Sequence, residues 1–187
     1  MNIYCLHKDI MIWESCYWKD PLLGIVEQIE FWELSSNLDE SDFAEIERQI
    51  TIGFYSVRKL IDAKKLSDSV AQGKLNCLSF ANINEVNLLN WHRYYELYDL
   101  HSPSKKELNL DFVYNQFIHS YVFSIDNSES SSFTGIFFCS DRYRNKSLFH
   151  ISSLEIKRIF HLVGTNYPYT SIRQFNPQNK DYKIVQE

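Results

Sequence analysis

The residues that usually announce chemistry are sparse in this chain. Its five glycines (Gly24, Gly53, Gly73, Gly135, Gly164) never cluster, which excludes a P-loop and a dinucleotide fingerprint, since both need several glycines close together so that backbone N–H groups can reach a phosphate. Its four cysteines (Cys5, Cys16, Cys77, Cys139) form no C-x-x-C pair, a usage that fits reduced thiols in the cytoplasm rather than a disulfide framework. The six histidines fall into no ligand pattern with cysteine or carboxylates, H-E-x-x-H is absent, and Cys5-x-His7 is too sparse for a metal site. No cofactor and no metal are therefore expected. A Gly-x-Ser-x-Gly nucleophile elbow is also absent. No apolar run approaches the roughly 18–20 residues that cross a bilayer, and the first residues show no basic stretch followed by an apolar one. An intracellular protein without membrane contact is expected.

What is present is ordinary folding material with two biases. Hydrophobic residues at 44% and charged residues at 23% specify a folded globular chain, and 187 residues suffice for one substantial core. The first bias is aromatic: 13 Phe, 12 Tyr and 4 Trp either fill that core or supply contact area to a partner. The second is charge, because residues 1–50 carry 3 Lys/Arg against 11 Asp/Glu, whereas residues 51–187 carry 16 against 13. An acidic front disfavours wrapping of nucleic acid along the whole surface, since phosphate contacts need a continuous basic stripe. A local basic patch stays compatible with it.

Hydrophobic spacing predicts the elements. Asp20-Pro21 reads as an N-cap and first helical residue, leading into a helix whose face is Leu22, Val26 and Ile29, widened by Ile25 and Trp32. From Asp42 to about Leu66, Phe43, Ile46, Ile50, Phe54, Val57 and Ile61 recur at helical spacing, with Asp42 and Glu45 placed as a capping box and Gly53 as a point of close approach. A short strand is expected near Leu75–Phe80 and a second helix over 85–100. Asp111 caps a short helix through Ser120, after which the period changes, and 121–126, 133–140 and 147–152 read as an antiparallel meander. Ser152 and Glu155 form another capping box, Ile151 and Ile156 a hydrophobic staple, and Gly164 closes that helix. The fold class is α+β, as a single domain over 1–187. A helical N-terminal two thirds (1–120) packs with a three-stranded antiparallel meander and a closing helix (121–166), followed by a polar tail (167–187).

Four groups of residues are candidates for function. Asn115 and His119 stand four apart on one helix, where they either bond to each other and nearby backbone or present an imidazole as general acid or base. Trp91-His92-Arg93-Tyr94-Tyr95-Glu96 mixes aromatic and charged groups, as single-stranded nucleic-acid platforms and protein interfaces both do. Arg142, Arg144 and Lys146 alternate through a hairpin connection and form the best nucleic-acid-binding candidate. Trp13, Trp18, Phe31 and Trp32, in the acidic aromatic N-terminal quarter, are the partner-binding candidates.

The long helix ending in Arg58-Lys59-Leu60, followed by the helix carrying Asn115 and His119, resembles the HEPN superfamily of helical domains over residues about 41–120. The resemblance implies an Arg-x-x-x-x-His motif whose two side chains act on the 2′-hydroxyl and the scissile phosphate of RNA, and a prokaryotic defence or toxin-type setting. Tyr114 occupies the Arg position here, and tyrosine supplies no permanent cation. A metal-independent RNase would then combine His119 and Asn115 with a distant Arg58 or Arg93. The leading expectation is a non-catalytic protein-interaction subunit of an intracellular hetero-oligomeric assembly. The alternatives are that RNase and a small nucleic-acid-binding module.

Overall fold

Asp39 sets the start of the longest helix. Its carboxylate accepts from the N–H groups of Ser41 at 2.8 Å and Asp42 at 3.0 Å, while its own N–H donates to the Asp42 carboxylate at 2.9 Å. The capping box thus lies three residues before the expected Asp42–Glu45 pair, and Glu45 instead holds Arg48 and Gln49. The computed structural model describes residues 13–127, 132–178 and 180–187. Within them this helix, α2 (Glu40–Asp62), buries Ile46, Ile50, Phe54, Val57 and Leu60. The helix before it, α1 (Cys16–Leu34), starts one turn earlier than Asp20-Pro21 suggested, so Pro21 lies inside it and one backbone bond of that turn is lost. Its inner stripe is Leu22, Ile25, Ile29 and Trp32.

After α3 (Asp68–Ala71), the strands β1 (Lys74–Ala81), β2 (Ser104–Asn109), β3 (Ser120–Asp126), β4 (Gly135–Ser140) and β5 (Ser147–Ser152) form one antiparallel sheet in the order β2-β1-β5-β4-β3. The expected three-stranded meander is therefore only part of a five-stranded sheet. β2 escaped the sequence reading because Ser104-Lys105-Lys106-Glu107-Leu108-Asn109 is a charged edge strand without apolar alternation. Two further expectations are corrected. Over 85–100 the chain forms turns and only the short α4 (Tyr94–Leu97), because the side chains of Asn82, Asn84, Asn87 and Asn90 bond to nearby backbone in place of helical partners. The tail forms a hairpin of β6 (Ser171–Asn176) and β7 (Asp181–Gln186).

One face of the sheet carries the helices. Phe117 of α5 (Leu110–Ile118) stacks on Phe54 of α2 at 4.2 Å and on Phe138 of β4 at 4.3 Å, a column of three rings that joins outer helix, inner helix and sheet. Phe160 of α6 (Ser153–Thr165) meets Phe54 edge-on at 5.1 Å. A Cβ on Gly53 would come within 2.5 Å of the Phe160 ring, so that glycine permits the close approach of α2 and α6. At the start of α6 half of the expected box forms. Ser152 accepts from the Glu155 N–H at 3.3 Å, but Glu155 turns away and accepts from the Asn76 N–H of β1 at 2.8 Å, carrying the β1 ladder past the end of β5. Burial would push the Glu155 carboxyl up, yet the bonds from Arg158 and Asn76 outweigh it and hold it below its usual range. Gly164 does not end α6, which runs on to Thr165. A Cβ there would lie 2.7 Å from Leu23, so Gly164 marks the crossing of α1 and α6.

Beside that crossing Lys19 of α1 is fully buried. Its ammonium donates to the carbonyls of Lys65 and Asn166 and lies 3.9 Å from the centre of the Tyr167 ring. Burial first, and the Lys65 charge second, lower its pKa from 10.5 to about 8. Among the described residues no helix is long and apolar enough to cross a membrane. Lys19→Met leaves two part-buried carbonyls without this donor and should cost about 1–3 kcal/mol in chemical denaturation. Because the folded-state pKa lies below the unfolded one, the unfolded chain holds the extra proton between pH 8 and 10.5. The parent should therefore gain stability as pH rises through that window, by at most about 1.4 kcal/mol per pH unit. The Met variant should lack this gain.

Candidate functional site

The end of α5 and the β4–β5 connection are built as one unit. His119 closes α5, with its N–H on the Asn115 carbonyl at 3.2 Å, and its own carbonyl accepts from the Asp141 N–H at 3.3 Å. Buried Gln116 accepts from the Ser140 N–H at 2.9 Å and fixes the same junction from inside. Two candidates kept apart by the sequence, His119 and the basic turn, are thereby neighbours. His119 is exposed and Asn115 half-buried. The turn's charges are unequal. Arg144 pairs with Asp141 at 2.9 Å and lies over the Tyr121 ring at 4.5 Å, and Lys146 lies over Tyr143 at 5.4 Å. Arg142 makes no ion pair or side-chain hydrogen bond among the described residues.

The two arginines proposed to complete an RNase site sit elsewhere. Arg58 bonds Asp62 at 3.6 Å and lies 5.8 Å from the Tyr114 ring, so a guanidinium from α2 does reach the motif helix, but at its first turns rather than beside His119. Tyr114 is buried, and its hydroxyl pKa is raised by that burial and by Asp62 and Asp111 against the pull of Arg58. Arg93 pairs with Glu96 at 3.3 Å in the segment 82–98. There Ile83, Leu88, Leu89 and Tyr95 are exposed.

Of the partner-binding candidates, Trp13 is 72% and Phe31 67% exposed, while Trp18 is half-buried against Tyr55. Trp32 is corrected: at 4% exposure it packs edge-on against Phe133 and belongs to the core. The exposed side of α1 carries a seam at alternating spacing of three and four, Tyr17, Asp20, Gly24, Glu27, Phe31 and Leu34. Leu34 is 88% exposed, and nothing among the described residues outside the helix backbone lies within 4 Å of a Cβ built on Gly24.

The sheet face opposite the helices holds a constellation that the sequence did not suggest. The paired positions put Lys105, Leu78, His150 and Phe137 in one row across four strands and Glu107, Asn76 and Asp126 in the next. His150 reaches over Gly135 to Asp126, Nε2 to Oδ2 2.9 Å, with both side chains largely shielded. A Cβ on Gly135 would strike His150 Nε2 at 2.5 Å and the Ile151 carbonyl at 2.6 Å. Half of this face is covered: Tyr94 packs on Phe137 at 5.1 Å, and the Tyr98 hydroxyl bonds the Arg144 carbonyl at 2.6 Å. The other half is a cavity of about 460 Å³. The two-residue period of β5 places His150 beside Ser152 on that face, but the pairing of His150 with an aspartate 24 residues earlier depends on strand order, which no local pattern carries.

Cys77 is pushed up to about 12 by burial and the Glu155 charge, and Cys139 to about 11, mainly by burial, so neither thiol is a nucleophile near neutrality. Cys5 and His7 lie outside the described residues. Among the described residues no three His, Cys, Asp or Glu are grouped to hold a metal ion. No protein-family model, curated protein or solved structure matches the chain. Gly135→Ala should cost about 1–3 kcal/mol through overpacking and should displace the imidazole from Asp126. Denaturant midpoints and the ring resonances of His150 check both effects.

Proposed function

We propose that the chain is a non-catalytic protein-interaction subunit of a multi-protein assembly, docking through the outer seam of α1. The observation that carries this is the exposure of Tyr17, Phe31 and Leu34 at 78%, 67% and 88%, in register with Asp20, Gly24 and Glu27. Large apolar groups repeated along one side of a helix favour a second helix laid against it. Gly24 supports the same reading, because glycine in an exposed helix interior costs about 1 kcal/mol against alanine and nothing among the described residues requires it. A partner backbone approaching closely would. Asp20 and Glu27 call for Lys or Arg on that partner. The HEPN resemblance adds a prokaryotic defence or toxin-type setting by analogy.

A pull-down with the full chain from native extract, followed by intact mass of the complex, identifies the partner and stoichiometry. Phe31→Asp with Leu34→Asp should reduce its recovery at least about tenfold without unfolding the chain. Equal recovery, or a chain that stays alone, rejects the reading. Gly24→Ala should stabilise the isolated chain by about 0.5–1 kcal/mol, and Gly24→Leu should weaken the complex.

A second reading, nucleic-acid contact, is favoured by the bond from the Asp141 N–H to the His119 carbonyl, which joins the turn carrying Arg142 and Lys146 to the end of α5, where His119 is exposed. Arg142→Ala with Lys146→Ala should then weaken single-stranded RNA binding and flatten its log–log salt slope by about 1.4. If the chain also cleaves RNA, His119→Ala should abolish cleavage. Undiminished cleavage ends the RNase reading.

A further inference from the structure

α6 has an outer side that neither the core nor the seam of α1 uses. Its inner face, Ile156, Ile159, Phe160 and Val163, is buried, whereas Leu154, Arg158, His161 and Thr165 recur at spacings of four and three on the opposite side and are exposed. We infer, resting on the docking role of α1, that the partner lays a basic amphipathic helix in the groove between α1 and α6. Shape, continuity and charge each support this.

The two helices run antiparallel, since Lys19 meets Asn166 at one end and Lys157 bonds Glu33 at 2.6 Å toward the other. Between their outer sides lies a groove of about 630 Å³, walled by Val26 and Glu30 of α1 and by Leu154, His161, Leu162 and Thr165 of α6. Both walls are helices whose backbone groups are already bonded, so an extended segment would find no backbone partners there. A docked helix satisfies its own backbone and offers side chains alone. Leu154 and Leu162, 71% and 37% exposed, with Val26 on the facing wall, would anchor its apolar stripe.

Groove and seam are continuous. Glu27, Glu30 and Leu34 follow one another on α1 at spacings of three and four, so Glu30 of the groove stands in line with two residues of the seam. Leu154 lies one turn before Lys157, at the end of α6 that meets the end of α1 bearing Leu34. The charge left open is negative. Lys157 and Arg158 border the groove but are paired with Glu33 and Glu155. Glu30 is exposed and makes no ion pair or side-chain hydrogen bond among the described residues. Lysine or arginine on the docked helix complements it, and an acidic helix is repelled.

The test uses the full isotope-labelled chain and two helical peptides of about five turns with the same leucine stripe, one with lysine and one with glutamate on its polar face. They are titrated at about pH 8, above the ordinary range of imidazole titration. The leucine–lysine peptide should shift the methyl resonances of Val26, Leu154 and Leu162 saturably and bind at least about tenfold more tightly than the leucine–glutamate peptide. Leu154→Gln with Leu162→Gln should weaken it at least about tenfold and Glu30→Lys at least about fivefold, with the remaining spectrum unchanged. Glu47→Lys, an exposed reversal on α2, should leave it unaltered. No saturable shift, or equal affinity of the double variant, overturns the groove. So does equal weakening by Glu47→Lys and Glu30→Lys, which marks attraction to the acidic surface as a whole. Equal affinity of the two peptides removes the basic assignment. In the native-extract pull-down, full recovery by the Leu154 and Leu162 double variant, beside loss with Phe31→Asp and Leu34→Asp, overturns the groove and keeps the docking role of α1. Full recovery by both variants removes that role as well.

Discussion

The Lys19 ammonium is the contact on which the helical layer depends. Removing a charge from water costs several kcal/mol, and here two carbonyls and an aromatic face at Nζ offset only part of it, so the pKa is lowered. Those carbonyls belong to Lys65, just beyond α2, and to Asn166, the C-cap of α6, so one cation serves the negative ends of two helices. The charge itself therefore brings no gain in stability. The gain in definition is larger, because only one rotation of α1 brings Nζ to both acceptors. That rotation turns Leu22, Ile25, Ile29 and Trp32 inward and leaves Tyr17, Phe31 and Leu34 outside. The proposed docking seam is thus a by-product of where a lysine is buried.

The two faces of the sheet are covered to different extents. On one face Phe117 and Phe138 continue the aromatic column into the helices. On the other, residues one step out of phase, Phe137, His150 and Leu78, meet a cover that stops halfway. The segment 82–98 keeps that cover in place with asparagine amides, and the Tyr98 hydroxyl ties it to the turn beside His119. The candidate nucleic-acid turn is therefore tied to this loop, whereas the cavity is lined by the strands alone.

Local patterns in the sequence revealed the long helix, the meander and the final helix, because each follows a period that side-chain burial enforces. They misplaced the ends. Asp39 and Asp42 form the cap where Asp42 and Glu45 were expected, since a capping box is defined by three residues' spacing and the acidic stretch offers several registers. Gly164 read as a helix stop because glycine favours termini, yet its role is to let α1 pass close by. β2 and the asparagine-held loop gave no periodic signal. The His150–Asp126 pair was invisible for a different reason, since it arises from the order of strands in the sheet. His119 and the basic turn were both recognised, but their adjacency rests on the fold.

The partnership of α1 with α6 has a consequence during synthesis. The inner stripe of α1 leaves the ribosome before the helix it packs against, which, with Gly164 at the crossing and Asn166 waiting for Lys19, follows more than about a hundred residues later. Until then Leu22, Ile25, Ile29 and Trp32 have no covering helix from α6, and the outer seam adds a second apolar side to the same segment. Until α6 is made, α1 is consequently a segment exposed to wrong association. A chaperone, or the partner proposed to dock on Phe31 and Leu34, would meet its surface before the rest of the fold exists.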